Sequence, residues 1–414
     1  MRVSPPRIAM LALLLVLAGC GAAPVSTHSG SAKGATRQYS YVYTRVSAAT
    51  PGPVVTALRC PLGASAVSDR CAAVVVRLVK GRWQWGRLSA PDLTPVAVSF
   101  IGNSGWIAAT TPVPCGRGSP ACAATEVLAS GNGGVSWTGV FTAKGLTASA
   151  LQFVDPTHGF MFATTPTSPQ NYGKPLPALY ETADGGISWS RVNTQGYSPS
   201  SISFPTPELG WLSGEKCPTQ GNCQGALLRS RNGGATWTVA DQIPPFSLPN
   251  SFFVDFTSAA DGWLMKPVPA GGCNTNSCFG ALLGTANGGA SWVTLQPAGF
   301  WPDQATIAAD TGVGFPLGID MATSEVGWVP VQMGAGPSVG GVEYTQDGGR
   351  AFRRVGVQQG WNPLAFTVDG ATETGWAIVE LKPLNSAQAG HGIRGMDLVS
   401  ISPTGGIGEV ALPK

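Results

Sequence analysis

The chain has 414 residues, of which only 11% are charged, while 56 are glycine and 34 are proline. This composition suits many short strands joined by tight turns better than long surface helices, so we expect an all-β protein. The first twenty residues hold two arginines and no acid, and the rest of the chain holds 23 basic against 22 acidic residues. That near-neutral balance argues against nucleic acid and against an electrostatically held polyanion as partners.

The N-terminus has the pattern of an export signal. Arg2 and Arg7 precede an apolar run from Ile8 to Ala18, whose eleven residues are too few to cross a bilayer. The run ends in Leu17 to Cys20, a tetrapeptide that resembles the bacterial lipobox, in which the cysteine takes a diacylglycerol and becomes the new N-terminus. We therefore predict a signal segment with lipidation at Cys20 and anchoring to the outer face of a membrane. Ordinary secretion with an incidental cysteine is the alternative.

Residues 21–38 are rich in Gly, Ala, Ser and Thr, which predicts a flexible tether between the anchor and a folded domain. No other apolar run is long enough to span a membrane. We expect residues 39–414 to form one domain in the cell envelope, and we expect it to be a monomer.

A degenerate repeat unit is predicted at each end of this domain. Tyr39 to Val46, Val54 to Leu58 and Ala72 to Val79 have the pattern of strands, and Gly81 to Trp85 stand where later units carry a Gly-rich turn. At the other end, Pro403 to Gly406 imitate that turn without its acidic and aromatic residues. Atypical terminal units are expected of repeat arrays, because they meet different neighbours.

Six hairpins are predicted between these ends. In each, alternating apolar residues run up to a short polar turn and resume after it with glycine and an aromatic residue, a pattern typical of β-hairpins. The hairpins pair Phe100 with Gly105-Trp106, Phe153 with Gly159-Phe160, Phe204 with Gly210-Trp211, Phe256 with Gly262-Trp263, Met321 with Gly327-Trp328, and Phe366 with Gly375-Trp376.

An eight-residue turn recurs at intervals of 52, 48, 55 and 60 residues, and we call it the signature turn. Each copy reads Ser/Thr, any residue, Asp/Asn, Gly, Gly, two residues and an aromatic. The polar side chains can accept backbone N–H bonds, the glycines supply positive φ, and the aromatic returns into the sheet packing, so we predict a structural role. The defining residues are Ser130, Asn132, Gly134 and Trp137; Thr182, Asp184, Gly186 and Trp189; Ser230, Asn232, Gly234 and Trp237; Thr285, Asn287, Gly289 and Trp292; Thr345, Asp347, Gly349 and Phe352.

Each unit divides into four strands, A to D. In one unit these are Ser200 to Phe204, Gly210 to Gly214, Gly225 to Arg229 and Thr236 to Ala240, with the signature turn between C and D. Four antiparallel strands per unit are typical of one propeller blade. The repeat outweighs a domain count based on length. We therefore predict a single β-propeller with seven blades; six blades plus an N-terminal strand segment is the alternative.

Nine cysteines are present, one of them in the lipobox and eight in four close pairs. The three histidines lie far from these pairs in sequence, and none has the spacing of a metal ligand, so we expect neither a metal nor a cofactor. Four disulfides in an oxidising compartment are the favoured interpretation, and reduced, buried thiols are the alternative. The pairs are Cys60 and Cys71, Cys115 and Cys122, Cys217 and Cys223, and Cys273 and Cys278.

An up-and-down blade places its A–B and C–D turns on one face of the disc and its B–C and D–A loops on the other. All four cysteine pairs fall in B–C loops, and the D–A loops carry aromatics followed closely by proline. One D–A loop, Gln296 to Leu317, is much longer than the rest. We interpret the aromatics as caps on the seams between blades, with a ligand-binding rim as the alternative. The candidate residues of this rim are Tyr197, Phe246, Phe300, Trp301, Asp303, Asp310 and Trp361.

The signature turn resembles the Asp-box, also called the bacterial neuraminidase repeat, which occurs in sialidases, xyloglucan-active hydrolases and sortilin-type receptors. The five turns and the Gly-aromatic hairpins cover nearly all of residues 95–355. A single propeller behind an export signal is most similar to the photosystem II stability and assembly factor family, although the four cysteine pairs and degenerate ends depart from it. The resemblance implies a propeller whose boxes lie away from the ligand face and whose role is to bind protein.

Sialidase activity is a poor fit to the sequence. Sialidases resemble this chain in their boxes but also need three arginines, a tyrosine activated by glutamate, and an aspartic acid. No arginine occurs from Gly118 to Ser190 or from Asn232 to Gly349. The pairs Glu343-Tyr344 and Tyr180-Glu181 are strand neighbours, whose side chains point to opposite faces.

Another glycoside hydrolase remains the alternative function, because two carboxylates roughly 5 to 10 Å apart would suffice. The candidates are Asp303 and Asp310 in the long loop, and Asp255 and Asp320 near inner strands. Xyloglucan-active enzymes use two propellers, and this chain has room for one. We predict instead an exported, lipid-anchored scaffold without enzymatic activity that recognises a protein or a cell-surface glycan through its B–C and D–A loops.

Overall fold

Short strands rich in β-branched and aromatic residues pair as antiparallel hairpins along the chain. The described residues contain no helix, and so no helix long and apolar enough to cross a membrane. The predicted signal segment, residues 1–20, and the tether, residues 21–38, lie outside them. In this computed structural model the described residues are 39–49, 51–61, 71–86, 88, 93–112, 123–171, 174–219, 222–246, 252–266, 280–297, 315–332, 340–356, 360–381 and 395–413.

Blades 1 to 4 are formed by the strands up to Phe246. Each has four principal strands, and blade 3 adds a two-stranded hairpin between its second and third strands. The strands are β1 (Tyr39–Ser47), β2 (Val54–Pro61), β3 (Ala72–Val79), β4 (Arg82–Gly86), β5 (Thr94–Ile101), β6 (Ser104–Pro112), β7 (Ala123–Ser130), β8 (Thr138–Lys144), β9 (Thr147–Phe153), β10 (Gly159–Thr164), β11 (Gln170–Asn171), β12 (Lys174–Pro175), β13 (Ala178–Thr182), β14 (Ser190–Arg191), β15 (Ser198–Ser203), β16 (Gly210–Thr219), β17 (Asn222–Ser230) and β18 (Thr238–Phe246).

Blades 5 to 7 complete the ring. In blade 6 the first strand is split into two short pieces, and both pair with the second strand. The strands are β19 (Phe253–Phe256), β20 (Gly262–Met265), β21 (Leu282–Thr285), β22 (Val293–Gln296), β23 (Phe315–Pro316), β24 (Asp320–Met321), β25 (Gly327–Gln332), β26 (Gly341–Thr345), β27 (Arg353–Val355), β28 (Trp361–Asp369), β29 (Thr374–Leu381), β30 (Gly395–Ile401) and β31 (Ile407–Val410).

The principal strands of every blade are antiparallel and follow the order of the sequence. The prediction of an all-β propeller with seven blades is confirmed. The six-blade alternative is wrong, because β1 to β4 form a four-stranded sheet of their own instead of completing another blade.

The first strands lie at the centre of the disc, where β1 contacts β5 and β28, β5 contacts β9, β15 contacts β19, and β24 contacts β19 and β28. The antiparallel order divides the links between strands into two faces. We call turn face the side with the first-to-second and third-to-fourth links, which in blade 3 are residues 154–158 and 183–189. We call loop face the opposite side, which in blade 3 holds residues 165–177 and 192–197.

The N-terminal unit is a complete blade whose last hairpin is tighter than the sequence suggests. The interpretation of Gly81 to Trp85 as the position of a signature turn is wrong, because Val79 pairs directly with Arg82. Lys80 and Gly81 alone make the turn, with φ of 49° and 74°. Two successive residues with positive φ match the twist of a hairpin, so this blade needs no longer turn.

Each signature turn is held by its own polar side chains. The Thr182 hydroxyl accepts the Gly186 N–H at 3.0 Å, and Asp184 Oδ1 accepts the Ser188 N–H at 2.9 Å. Asp184 Oδ2 accepts the Ser188 hydroxyl at 2.6 Å. These hydrogen bonds stabilise the carboxylate and lower the pKa of Asp184 to about 2. The carboxylate of Asp184 therefore stays charged and bonded at any physiological pH.

Asparagine can replace aspartate in the turn because its amide supplies both kinds of contact. Asn132 Oδ1 accepts the Ser136 N–H at 3.0 Å, and Asn132 Nδ2 donates to the Ser136 hydroxyl at 2.8 Å. Asn232 and Asn287 bond the residue four positions later in the same way. The feature common to the five turns is thus an acceptor at the third position. The fifth turn has Ala351 at the seventh position, and its N–H still donates to Asp347 Oδ1 at 2.8 Å.

Aromatic side chains from the two sequence motifs meet at the seams between blades. Trp211 of β16 stacks on Phe256 of β19 in the next blade, with ring centroids 3.7 Å apart. Phe256 in turn meets Trp292, which ends the signature turn of its own blade, edge to face at 6.1 Å. Such pairs stabilise by about 0.5–1.5 kcal/mol beyond the area they bury. The same three-ring arrangement recurs as Trp106, Phe153 and Trp189, and as Phe160, Phe204 and Trp237.

The glycine of each Gly-aromatic hairpin makes room for the central ring. A Cβ at Gly210 would lie 2.4 Å from atoms of the Phe204 ring, which is itself stacked on Phe160 and cannot move aside. Equivalent close approaches to the ring occur at Gly105, Gly159 and Gly262. The glycine is therefore required by packing against the preceding strand.

The ring closes without a sheet shared by the two ends of the chain. Blade 1 consists of β1 to β4 and blade 7 of β28 to β31. Trp83 Nε1 donates to the Ala411 carbonyl at 2.7 Å, and the Tyr43 hydroxyl donates to the carbonyl of Pro413. Burial raises the pKa of Tyr43, so its hydroxyl remains a donor. The residues after β31 thus close the ring against blade 1.

Apolar packing supports this closure. Val55 and Val76 of blade 1 are buried against Ile378 and Leu398 of blade 7 in one core cluster. Among the described residues, the other pairs of neighbouring blades are also joined by side-chain packing and isolated hydrogen bonds, because no sheet contains principal strands of two blades. The closing seam is therefore built like the others.

We expect Gly210→Ala to lower the free energy of unfolding by about 1–3 kcal/mol, because the new methyl group overlaps the Phe204 ring. Urea titration of the purified domain measures the change. The matched control is Gly131→Ala in a signature turn, where no atom lies within 4 Å of the added Cβ. That control should stay within about 0.5 kcal/mol of the parent protein. Equal losses in the two variants would contradict the steric explanation.

Candidate functional site

A cleft of about 410 Å³ opens at the seam between blades 3 and 4, and we call it the seam cleft. Its lining comes from the loop-face segment 165–178, from Tyr180, and from the segment 191–198 that joins β14 to β15. Both segments belong to the loop face. The seam cleft therefore lies on the side of the disc away from the signature turns.

Local backbone hydrogen bonds fix the two segments. The Leu176 N–H donates to the Pro169 carbonyl at 2.7 Å, which holds the arm containing β11 and β12. On the other side, the Tyr197 N–H donates to the Thr194 carbonyl at 3.0 Å, and Gln195 turns the chain with a φ of 57°. Gln195 Nε2 reaches the carbonyl of Trp237 in blade 4 at 2.9 Å. The lining is thus preformed and joined to both blades.

The seam cleft combines hydroxyl groups, aromatic rings and one cation. Arg191 is exposed, and its guanidinium has no hydrogen bond or ion pair with a described residue. Tyr180 lies directly across from it in the β13–β14 register, and Tyr197 packs on the core at the other side. None of the described lining residues is acidic. Such a surface can accept an anionic or hydroxyl-rich group and stack it on a ring.

Of the candidate residues of the loop face, Tyr197 lines the seam cleft. Trp361 does not belong to a ligand rim, because it is 1% exposed in the core between blades 6 and 7. A Cβ at Gly356 would lie 2.1 Å from its indole, which shows how tightly the ring is enclosed. This residue fits the interpretation as a seam cap. For Phe246 the structure describes the backbone, and Phe300, Trp301, Asp303 and Asp310 lie outside the described residues.

Two of the predicted disulfides lie within the described residues, and both are formed. Cys60 is bonded to Cys71 in blade 1, and Cys217 to Cys223 in blade 4. Each joins the second and third strands of its blade at the loop face, as the sequence predicts. The pairs Cys115 with Cys122 and Cys273 with Cys278 lie outside the described residues.

The sequence did not point to Glu215 or Arg191 as site residues. Glu215 lies in β16 and is 7% exposed. It forms the one cluster of three potential metal ligands among the described residues, with Cys217 and Cys223. Those two sulfurs are joined in a disulfide, so they are not available to a metal ion. No local signal marks Glu215 in the sequence, because Ser213, Lys216 and Thr219 of the same strand are polar as well.

The candidate carboxylates Asp255 and Asp320 occupy the first strands of neighbouring blades. Asp255 Oδ2 accepts the Met321 N–H at 2.7 Å across the seam, and its Oδ1 accepts the Ser203 hydroxyl at 3.1 Å. Ser203 bonds the Phe256 N–H across the preceding seam at 2.9 Å. Asp255 therefore has the same structural role as Ser203, since each side chain accepts a backbone N–H of the next blade.

Both carboxyl groups are surrounded by protein atoms near the centre of the disc. Burial raises the pKa of Asp255 to about 6, although the hydrogen bonds it accepts oppose the shift. Burial raises the pKa of Asp320 to about 7, and the neighbouring charge of Asp255 adds to the effect. These shifts have a structural cause, since Asp255 is committed to the seam and Asp320 lies beside it.

The pair Glu343-Tyr344 also has a structural place. Glu343 is fully buried and accepts the Arg354 guanidinium at 2.6 Å. Tyr344 packs against the last turn of blade 7, where a Cβ at Gly405 would lie 2.4 Å from its ring. The two side chains lie on opposite sides of β26, as strand geometry requires.

We expect Asp320→Asn to stabilise the protein at pH 8 and to have little effect at pH 4. The folded state holds this proton more tightly than the unfolded state, whose ordinary pKa is 3.8. The parent protein therefore loses stability as pH rises from about 4 through 7, and the amide does not. Thermal unfolding of both proteins across this range measures the difference. A difference that stays constant with pH would contradict the raised pKa.

Comparisons with known proteins identify the architecture and nothing finer. No protein-family model and no curated protein matches the chain. The β-propeller domain of the Trilobed protease from Pyrococcus furiosus, which has an open velcro topology, is 9% identical with a TM-score of 0.52, over 89% of this chain and 98% of that chain. A puromycin-hydrolyzing peptidase of Mycobacterium tuberculosis is 12% identical with a TM-score of 0.51, over 90% of this chain and 54% of that chain.

YCF48 bound to D1 peptide is also similar, at 14% identity and a TM-score of 0.47, over 88% of this chain and 95% of that chain. The chain spans about half of the mycobacterial peptidase. At identities this low the likeness is one of fold, and a propeller fold serves binding proteins and hydrolases alike. The chain is a seven-bladed β-propeller whose activity is not decided by its neighbours.

Proposed function

We propose that the protein is an exported, lipid-anchored propeller that binds a protein or a surface glycan at its loop face, with the seam cleft as the contact site. The observation that carries this proposal is the seam cleft itself, a preformed surface with an unpaired cation at Arg191 among the described residues. A loop-face cleft that combines rings, hydroxyls and a cation is typical of a recognition site.

The hydrogen bonds of the turn face also favour the loop face as the binding surface. Trp106 Nε1 donates to the carbonyl of Gly185 in the next signature turn at 2.8 Å, and Trp263 Nε1 donates to that of Gly348 at 2.8 Å. The signature turns are thus occupied in joining blades. We infer that they are Asp-boxes, and that the chain belongs with propellers of the photosystem II assembly factor type in using them for structure.

The hydrolase alternative has less support. Among the described residues, its candidate Asp255 is bonded on both oxygens, to Ser203 and to Met321. A general acid or nucleophile must instead be available to the substrate. No acidic residue is present among the described residues that line the seam cleft. Binding is therefore the better account of this surface.

For the binding site we expect Arg191→Ala to reduce partner recovery from a native envelope extract by at least about tenfold, because a charged contact is worth roughly 1.5–3 kcal/mol. The matched control is Arg231→Ala, another exposed arginine that lies in the signature turn of blade 4. That variant should recover the partner as the parent does. Equal recovery by all three proteins would reject the seam cleft as the site.

Two treatments of the extract distinguish the kinds of partner. Protease treatment should abolish recovery of a protein, and periodate oxidation should abolish recovery of a glycan. Loss of recovery in both Arg variants would instead indicate a general charge effect, and it would also contradict the proposal.

The proposed membrane localisation depends on Cys20. We expect Cys20→Ser to move the protein from the membrane fraction to the soluble fraction of the envelope. The reason is that the serine hydroxyl cannot replace the cysteine thiol that takes the diacylglycerol. Fractionation followed by immunoblotting measures the shift. Cys217→Ser is a control that leaves the lipobox intact. If Cys20→Ser stays as membrane-bound as the parent, the lipid anchor is refuted.

A further inference from the structure

The Cys217–Cys223 disulfide has two sulfurs in different environments. It joins β16 to β17 at the loop-face end of blade 4. Its two sulfurs differ in environment, since Cys217 is partly exposed and Cys223 is 2% exposed. A thiol in solution can therefore approach the first sulfur far more readily than the second.

A buried carboxyl group stands beside this disulfide. A carboxylate oxygen of Glu215 and the two sulfurs all lie within 4.8 Å of one another. Glu215 is 7% exposed, and its Oε2 has no hydrogen-bond partner. An unsatisfied buried polar atom costs about 1–3 kcal/mol, so its presence at this position calls for an explanation.

The surroundings of Glu215 leave its charge uncompensated. Ser198 of β15 and Gly225 of β17 lie directly across from it in register, and neither ionises. Lys216, the adjacent residue on β16, has its side chain over Gly196. Burial raises the pKa of Glu215 to about 7, with no opposing charge to lower it. At neutral pH the group therefore holds a proton in a large fraction of molecules.

We propose that Cys217–Cys223 is a thiol-exchange site, in which Glu215 delivers a proton to the buried sulfur when an external dithiol opens the bond. This inference concerns reactivity and does not rest on the proposed binding function.

The exchange balances without a further reactant. One thiolate of the dithiol attacks Cys217 Sγ, a new S–S bond forms to Cys217, and the bond to Cys223 breaks with its electron pair on Cys223 Sγ. A thiolate released in a buried position is costly, so it takes the proton of the Glu215 carboxyl. The second thiol of the dithiol then displaces Cys217, and the dithiol leaves as a cyclic disulfide. Two electrons pass from the dithiol to the cysteines. Cys223 takes its proton from Glu215, which regains one from solvent water, and Cys217 takes the proton of the second thiol.

The same chain contains a matched control. Cys60 and Cys71 are 5% and 8% exposed, so neither sulfur is readily approached. Among the described residues, no cluster of carboxylate and sulfur ligands includes this pair. The two disulfides can be compared in one sample, under one reductant and at one pH.

The test uses the protein with dithiothreitol as the reductant. Samples are quenched with acid, alkylated and digested, and mass spectrometry reports the reduced fraction of each disulfide with time. At pH 7 we expect Cys217–Cys223 to open at least about tenfold faster than Cys60–Cys71. Glu215→Gln should slow the opening of Cys217–Cys223 by about a hundredfold, the lower end of a general-acid contribution. Cys60–Cys71 should react alike in both proteins.

The pH profile distinguishes proton delivery from simple exposure. With the rate divided by the thiolate fraction of dithiothreitol, the parent should slow as pH rises through about 7, because Glu215 loses the proton that it donates. Glu215→Gln should give a flat profile, and Glu215→Asp should keep the slope at a lower rate.

Three results would overturn the proposal: equal rates for the two disulfides, a flat profile in the parent, or an unchanged rate in Glu215→Gln. If Glu215→Gln has lost its fold, the opening of Cys60–Cys71 also becomes faster. In that case the pH profiles of the parent protein and of Glu215→Asp test the proposal.

Discussion

The ring depends on the stacking of aromatic side chains across the seams between blades. Trp211 contributes from one blade, and Phe256 and Trp292 contribute from the next, with the two signature-turn glycines beneath the indole of Trp211. Since the blades share no β-sheet hydrogen bonds, side-chain packing must hold them together. That requirement explains why one sequence pattern, with glycine and aromatic residues at fixed places, recurs in nearly every unit.

The same requirement explains how the ring closes. Blades 1 and 7 each come from one end of the chain, so no strand from one end completes the sheet of the other. Trp83 holds Ala411 and Tyr43 holds Pro413, while a common apolar core fills the seam. In blade 7 the Ser402 hydroxyl still accepts the Gly406 N–H at 2.8 Å, so the degenerate turn keeps part of the hydrogen bonding of a signature turn.

Use of the turn face for joining blades leaves the loop face for recognition. The seam cleft, the Cys217–Cys223 disulfide and buried Glu215 all lie at the loop-face ends of blades 3 and 4. Ser198 connects them, since it lines the seam cleft and lies across from Glu215 in register. By contrast, Asp255, which the sequence offered as a candidate catalytic carboxylate, serves as an inter-blade acceptor. Burial raises the pKa of both Asp255 and Glu215. The residues that contact each carboxyl group determine whether it has a structural or a chemical role.

The sequence by itself determined the repeat, the seven blades, the four-strand order and the pairing of Cys60 with Cys71 and of Cys217 with Cys223, because each depends on local spacing and turn chemistry. It also separated the turn face from the loop face. Only the tertiary structure decided that Trp361 is buried, that Asp255 is bonded across a seam, and that Arg191 and Tyr197 line one cleft. These facts depend on which residues of neighbouring blades come into contact. Spacing along one strand carries no record of that contact, since the partner lies some fifty residues away in the chain.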